Sequence, residues 1–210
     1  KLKIVRDEIK IQGGKAKSFA MDVTDRNQIY DVVSRVVRDY GRIDILINSA
    51  GINVLESSFD MTDAGYEAVL GINLRAALIT CQAFARARVA AGGGGAIVNI
   101  TSIAGHRGFA EHLCYAASKA GLEGASRVMA KEFGPHGIRV NCIAPTITLT
   151  ELAVEAWSAP EKAQPMMVRH PVGRFAEVEE VAASVALLLS EGSAMITGAV
   201  LPVDGGFLSV

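Results

Sequence analysis

The chain has 210 residues, 50% hydrophobic and 20% charged, with a formal net charge of −1. One α/β domain of this size buries a core without staples. The charge balance leaves no electrostatic footprint for nucleic acid or an anionic membrane. No uninterrupted apolar run of ~20 residues and no signal-peptide pattern is read.

Lys1 to Gln12 reads as a helix, with Leu2, Ile4, Val5 and Ile9 apolar and Gly13-Gly14 as its stop. Ser18 to Val23 predicts a short strand, and Thr24 an N-cap. Ile29, Val32, Val33, Val36, Val37 and Tyr40 recur at helical spacing before Gly41. Ile43 to Ile47 predicts a strand buried on both faces, followed by the turn Asn48-Ser-Ala-Gly51. Thr62 or Asp63 caps a helical stretch, and a long helix covers 66–91, bent near Gly71. Gly92 to Gly95 precedes a strand rather than following one. It is therefore a loop and not a dinucleotide fingerprint.

Ala96 to Ile100 and Ile138 to Ala144 are further strands, with a helix between them that runs to Phe133. Thr146 to Arg174 reads as irregular or weakly helical, with Pro160, Pro165 and Pro171. So long a connection in a compact domain points to a lid or binding loop. A helix over 177–190 and a strand over 199–203 close the pattern. Strands and helices alternate throughout, the signature of a parallel sheet with helices on both faces in a single domain.

Cys81, Cys114 and Cys142 are odd in number and lack metal-ligand spacing. They fit reduced, partly buried thiols in a cytosolic protein. No metal site is read. His136 and His170 are expected to be solvated loop residues.

One segment draws the rest together. Ser102 lies at the end of a strand, Tyr115 thirteen residues later, and Lys119 four after that. Residues four apart share a helix face, so the Lys119 ammonium is expected beside the Tyr115 phenol. Opposite charge would lower the phenol pKa and give a proton donor and acceptor near neutral pH.

Several segments together resemble the short-chain dehydrogenase/reductase family, over essentially the whole chain. They are Asn48-Ser-Ala-Gly51, Asn73 in Gly71-Ile-Asn-Leu74, and Ser102, Tyr115 and Lys119 at their spacing. Arg139 to Pro145 and Val203-Asp-Gly-Gly206 complete the set. The resemblance implies a Rossmann-type doubly wound parallel sheet and a 1–210 domain that lacks the family's first strand, Gly-rich loop and second strand. A family member would carry on the order of forty residues for those elements, and their omission before Lys1 is the favoured reading.

The resemblance further implies hydride transfer between NAD or NADP and a small secondary alcohol or ketone. A polyol or sugar is the first expectation, since the loop after Pro145 resembles the polyol-dehydrogenase branch. The alternatives are a 3-oxoacyl-(acyl carrier) reductase, for which Arg86 and Arg88 are candidate carrier contacts, and a non-catalytic dinucleotide-binding protein. By resemblance Tyr115 is the acid/base, Lys119 steadies it and holds the nicotinamide ribose, and Ser102 polarises the substrate oxygen. Asn73 holds a water through its backbone carbonyl. Asp22, Val23, Asn48, Ala50, Gly51, Pro145, Thr148 and Thr150 are the remaining cofactor residues. His112 and Trp157 flank the substrate with Ser102 and Tyr115, as do His106 and Arg107 by proximity. Thr146 stands where the family has glycine, which puts the local backbone in question. A cytoplasmic homotetramer or homodimer is implied, with the helices 66–91 and 113–133 at the dimer contact and the segment around Phe207 at a second one.

Overall fold

Four apolar runs become four strands of one all-parallel sheet in the computed structural model, which describes residues 2–210. They are β1 (Ile45–Asn48), β2 (Gly95–Ile100), β3 (Ile138–Pro145) and β4 (Val200–Val203), and they lie side by side in chain order. The register pairs Asn48 with Asn99, and Ile100 with Ile143, so the carboxyl ends of β1, β2 and β3 fall in line. In a parallel sheet that edge is where ligands bind.

Helices cover both faces. α1 (Leu2–Ile11) and α2 (Arg26–Tyr40) precede the sheet. α3 (Asp63–Leu70), a π-helical turn (Gly71–Ala76) and α4 (Ala77–Ala90) form one continuous run. α5 (Leu113–Phe133), α6 (Glu151–Ala156), α7 (Pro160–Met167) and α8 (Val178–Leu189) follow. On one face, Phe84 of α4 and Met129 of α5 pack against Ile97, Ile138 and Val140. On the other, Val185 and Leu188 of α8 pack against Val98 and Ile143.

Several expectations change. Ser18 to Val23 forms no strand, because it has no neighbour to ladder with among the described residues. The cap of α2 is Asp25 rather than Thr24. Its carboxylate accepts from the Asn27 and Gln28 amides, a reach that the Thr24 side chain does not use. β1 is an edge strand, so Ile45 and Ile47 remain 47% exposed instead of buried on both faces. The run Asp63–Ala90 is long and apolar enough to cross a bilayer by length and composition, although no uninterrupted apolar stretch was read there. Half of its apolar window is buried inside the chain. Phe207 itself is fully buried within its own chain, stacked on Phe109 with Arg107 and Arg169 over its ring, while Val210 at the end of the same segment is exposed.

Candidate active site

Ser102 follows the last residues of β2 in extended backbone, and its hydroxyl oxygen accepts from the Ala104 amide as the cap of a single 3-10 turn. Tyr115 and Lys119 lie in the first two turns of α5. All three line one cavity of about 330 Å³, together with Gly51, Asn53, Pro145, Thr146 and Thr148. The cavity opens at the carboxyl ends of β1, β2 and β3, the edge the sheet order predicts.

The electrostatics differ from the expected pairing. Lys119 is 5% exposed and donates from Nζ to the Ile100 carbonyl at 2.9 Å, leaving Nζ 5.5 Å from the Tyr115 ring centre. Burial pulls Lys119 down to about 8. Burial also pushes the Tyr115 phenol up, opposed only by the facing Ser102 hydroxyl. Desolvation therefore outweighs the Ser102 hydrogen bond and favours the protonated phenol over the phenolate. Such a group can donate a proton to an oxyanion that forms in the cavity, with the Ser102 hydroxyl directed at the same oxygen.

Asn73 is almost fully buried within the π-helical turn. Its side chain clasps Ile52: Oδ1 accepts from the Ile52 amide and Nδ2 donates to the Ile52 carbonyl, each at 2.8 Å. Nδ2 also lies 3.2 Å from the Ser118 hydroxyl. Asn73 thus ties the segment after Gly51 to α5. A π turn inside a long helix is a frequent mark of a functional site, and Gly71 at its first residue is the bend the sequence signalled.

Gly51 has a steric reason to be glycine. A Cβ there would lie 3.3 Å from Asn73 Oδ1 and 3.6 Å from Lys119 Nζ, narrowing the space between the turn and the ammonium. Val23, Asn48 and Ala50 line an adjoining apolar cavity of about 280 Å³. Asp22 is exposed beside it and ionised, its carboxylate drawn down by the Thr24 amide and hydroxyl. The Asn48 side chain braces the sheet, donating to Asn99 Oδ1 at 2.8 Å. Pro145 and Thr148 border the Lys119 cavity and a third, apolar one, while Thr150 lines only the latter and caps α6. A flat, partly apolar group with a hydroxylated sugar fits this row of small residues and the buried ammonium.

A further cavity of about 300 Å³ adjoins Ser102 and Tyr115 and is lined by His112, Trp157, Asn53, Phe109, Ile147 and Met166. His112 and Trp157 are thus among its walls. His106 and Arg107 are not. His106 Nε2 pairs with Glu123 Oε1 at 3.0 Å, and Arg107 donates to the Val210 carbonyl at 2.9 Å. Asn53 borders both cavities and was missed. Its only signal was its place two residues after the glycine of the turn. His170 was missed as well: it is buried at 2% exposure rather than solvated, and it bonds Thr146.

Comparison with known proteins agrees with this geometry. The family model described as "Enoyl-(Acyl carrier protein) reductase" matches residues 3–208. L-xylulose reductase of Bos taurus is 41% identical over 193 residues, 92% of this chain and 78% of the relative. D-threitol dehydrogenase of Mycolicibacterium smegmatis is 41% identical over 194 residues, 92% and 74% respectively. The crystal structure of an NAD+-bound xylitol dehydrogenase superposes with a TM-score of 0.92 at 29% identity, covering 98% of this chain and 84% of that one.

Proposed function

The chain belongs to the short-chain dehydrogenase/reductase family, and from that premise we propose that its substrate is a small polyol or the matching ketose. It is an oxidoreductase that uses NAD or NADP and acts between hydroxyl and keto groups. The observation that carries the substrate reading is the size and polarity of the cavity beside Tyr115. At about 300 Å³, with Asn53, Ser102, His112 and Thr146 among apolar walls, it suits a short hydroxylated chain. The names of the relatives, a xylulose reductase and a threitol dehydrogenase, support the same class.

In this reading Ser102, Tyr115 and Lys119 are the reacting groups, and Asn73 holds them in place. Lys119, Gly51, Pro145 and Thr148 would hold the nicotinamide and its ribose. Asp22, Val23, Asn48 and Ala50 border the adenosine side, and Thr150 faces the carboxamide region. Bound nicotinamide supplies hydride to the substrate carbon, or accepts it in the reverse direction. The chain's own groups manage the oxygen. Ser102 Oγ donates to the carbonyl oxygen and draws electron density toward it. Tyr115 Oη hands its proton to that oxygen as negative charge develops. The Lys119 ammonium behind the ring then favours the phenolate left behind. Placement in a low-dielectric cavity makes each of these interactions stronger than in water. Oxidation of an alcohol runs the same proton path backwards.

The acyl-carrier alternative has less support. Arg88, one of its two expected contacts, is buried against Asp44 Oδ1 at 3.1 Å and donates to the Gly94 carbonyl, so only Arg86 is exposed. We extend the reading to a cytoplasmic homotetramer or homodimer, supported by three free buried cysteines and by exposed Val89 on α4 and Val128 on α5. Light scattering after size exclusion tests the assembly, and fractionation tests the location. The decisive experiment is a panel of short polyols, ketoses and 3-oxoacyl thioesters with NADH, NAD+, NADPH and NADP+. Turnover of C4–C5 polyols or ketoses is the expected result. Preference for the thioester would overturn the substrate reading, and no turnover of any member would favour a non-catalytic binding protein.

A further inference from the structure

Thr146 stands where glycine was expected, and His170 was expected in solvent. The structure joins the two. The lid leaves the sheet after Pro145, forms α6 and α7, and returns to a parallel bridge between Thr148 and Ala176. That bridge fastens only the base of the lid. Trp157 and Met166, which wall the substrate cavity, lie farther out, on the segment between the two ends of the bridge.

His170 ties that outer part down. Its Nδ1 is 2.9 Å from the Met166 carbonyl oxygen, and its Nε2 is 2.6 Å from Thr146 Oγ1. A carbonyl only accepts, so Nδ1 must carry a proton. In the neutral ring Nε2 is then the acceptor, and the Thr146 hydroxyl donates to it. One imidazole thus connects the last turn of α7 to the end of β3. The ring packs edge-to-face with Phe175 at 5.7 Å and at a tilt to Phe207 at 5.0 Å. Phe175 in turn packs edge-on against Trp157 at 5.4 Å. From Phe207 the row continues through Phe109 and His112 to Tyr115, at ring separations of 5.9, 5.9 and 6.0 Å. A row of aromatic rings therefore runs from the lid to the catalytic phenol, with Trp157, Phe109, His112 and Tyr115 lining the substrate cavity, and His170 is its hydrogen-bonded link.

We propose that His170 is a positioning residue that latches the lid over the substrate cavity through Thr146. The threonine at position 146 and the histidine at 170 act as a matched pair, since a glycine at 146 would give the imidazole nothing to accept from. The latch raises the closed-lid fraction before substrate arrives, and its loss lowers apparent affinity by that fraction. The inference rests on the cavity being the substrate site.

The experiment compares His170→Phe, which keeps the ring packing but removes both hydrogen bonds, with His170→Gln, whose carbonyl oxygen can take the place of Nε2. Trp157 is the chain's single tryptophan, so its quenching by acrylamide reports lid exposure without turnover. The quenching constant is expected to rise about twofold in His170→Phe and to return toward wild type in His170→Gln. KM for the best ketose of the panel should rise about three- to tenfold in His170→Phe while kcat stays within about twofold, since the two neutral hydrogen bonds that favour the closed lid are lost. Cofactor affinity, read from NADH fluorescence, should not move. Thr146→Val, nearly isosteric, must show the same quenching rise, and it stands in if His170→Phe fails to fold. Unchanged quenching in both hydrogen-bond-deleting variants overturns the latch, as does a fall in kcat at constant KM. If no panel member turns over in the wild-type protein, the substrate reading fails while the quenching series still decides the latch.

Discussion

The Lys119 ammonium lies against the Ile100 carbonyl oxygen at 2.9 Å, in a site where burial brings its pKa down to about 8. The unfolded chain holds that proton up to the ordinary lysine value of 10.5. Below about pH 8 both states are charged, and the folded state bears the full desolvation penalty. Between about 8 and 10.5 the folded state releases its proton first, and the penalty is relieved as pH rises. Lys119→Met should therefore gain stability relative to wild type at pH 7 and lose most of that gain by pH 10. The pH-dependent part amounts to roughly 2–3 kcal/mol. The lost bond to Ile100 is an offset that does not vary with pH. Urea denaturation of both proteins at the two pH values checks it, and a difference independent of pH would refute the burial of a charged Lys119.

Tyr115→Phe removes the proton donor and keeps the ring that packs on His112. Turnover should fall by about 10²–10⁴-fold, the usual contribution of a placed acid or base. NADH binding, followed by fluorescence, should stay within about threefold, or less than 1 kcal/mol. Turnover close to wild type would remove Tyr115 from the reaction.

The sheet was legible because a strand buried on both faces is mostly an apolar run, and Ala96 to Ile100 and Ile138 to Ala144 are such runs apart from Asn99, Arg139 and Asn141. Gly71 signalled the bend that proved to be a π turn. The Ser102, Tyr115 and Lys119 spacing was legible because helical period and strand end are local properties. What failed was non-local. Ser18 to Val23 has strand composition, but a strand exists only with a ladder partner. The direction of the Tyr115 shift depends on cavity depth, which no spacing encodes. Arg88 finds Asp44, and His170 finds Thr146, across 44 and 24 residues of chain. Such pairings become visible only once the sheet has brought the segments together.

Asn99 is fully buried in β2 and joins the neighbouring strand β1 to α5. Its Oδ1 accepts from Asn48 Nδ2 at 2.8 Å, and its Nδ2 donates to Ser126 Oγ at 2.9 Å, which in turn donates to the Leu122 carbonyl. A satisfied buried network of this kind is costly to break, because partners are left unpaired. Asn99→Leu should destabilise by about 2–4 kcal/mol. Asn48→Ala with Asn99→Ala should lose at least about 0.5 kcal/mol less than the sum of the single changes, since they share one bond. Strict additivity in urea denaturation would show that the two amides do not interact in solution.

Gly206 follows the last strand with φ +85°, in the left-handed region, and a Cβ there would lie 2.8 Å from Pro171 Cγ. Pro171 directly follows His170, and the neighbouring Val172 amide donates to the Gly205 carbonyl at 3.1 Å. The turn Gly205-Gly206 is therefore the seat on which the returning end of the lid rests. Gly206→Ala adds left-handed strain of about 1–2 kcal/mol and a ring contact that only a shift of Pro171 relieves. The expected loss is about 2–4 kcal/mol in urea denaturation. Because the displaced segment carries His170, Trp157 quenching should rise with it. Gly192→Ala is the control: that glycine has ordinary φ, and its Cβ would meet only the Ser190 hydroxyl oxygen at 3.5 Å. Equal effects of the two substitutions would refute a special role for the Gly206 turn.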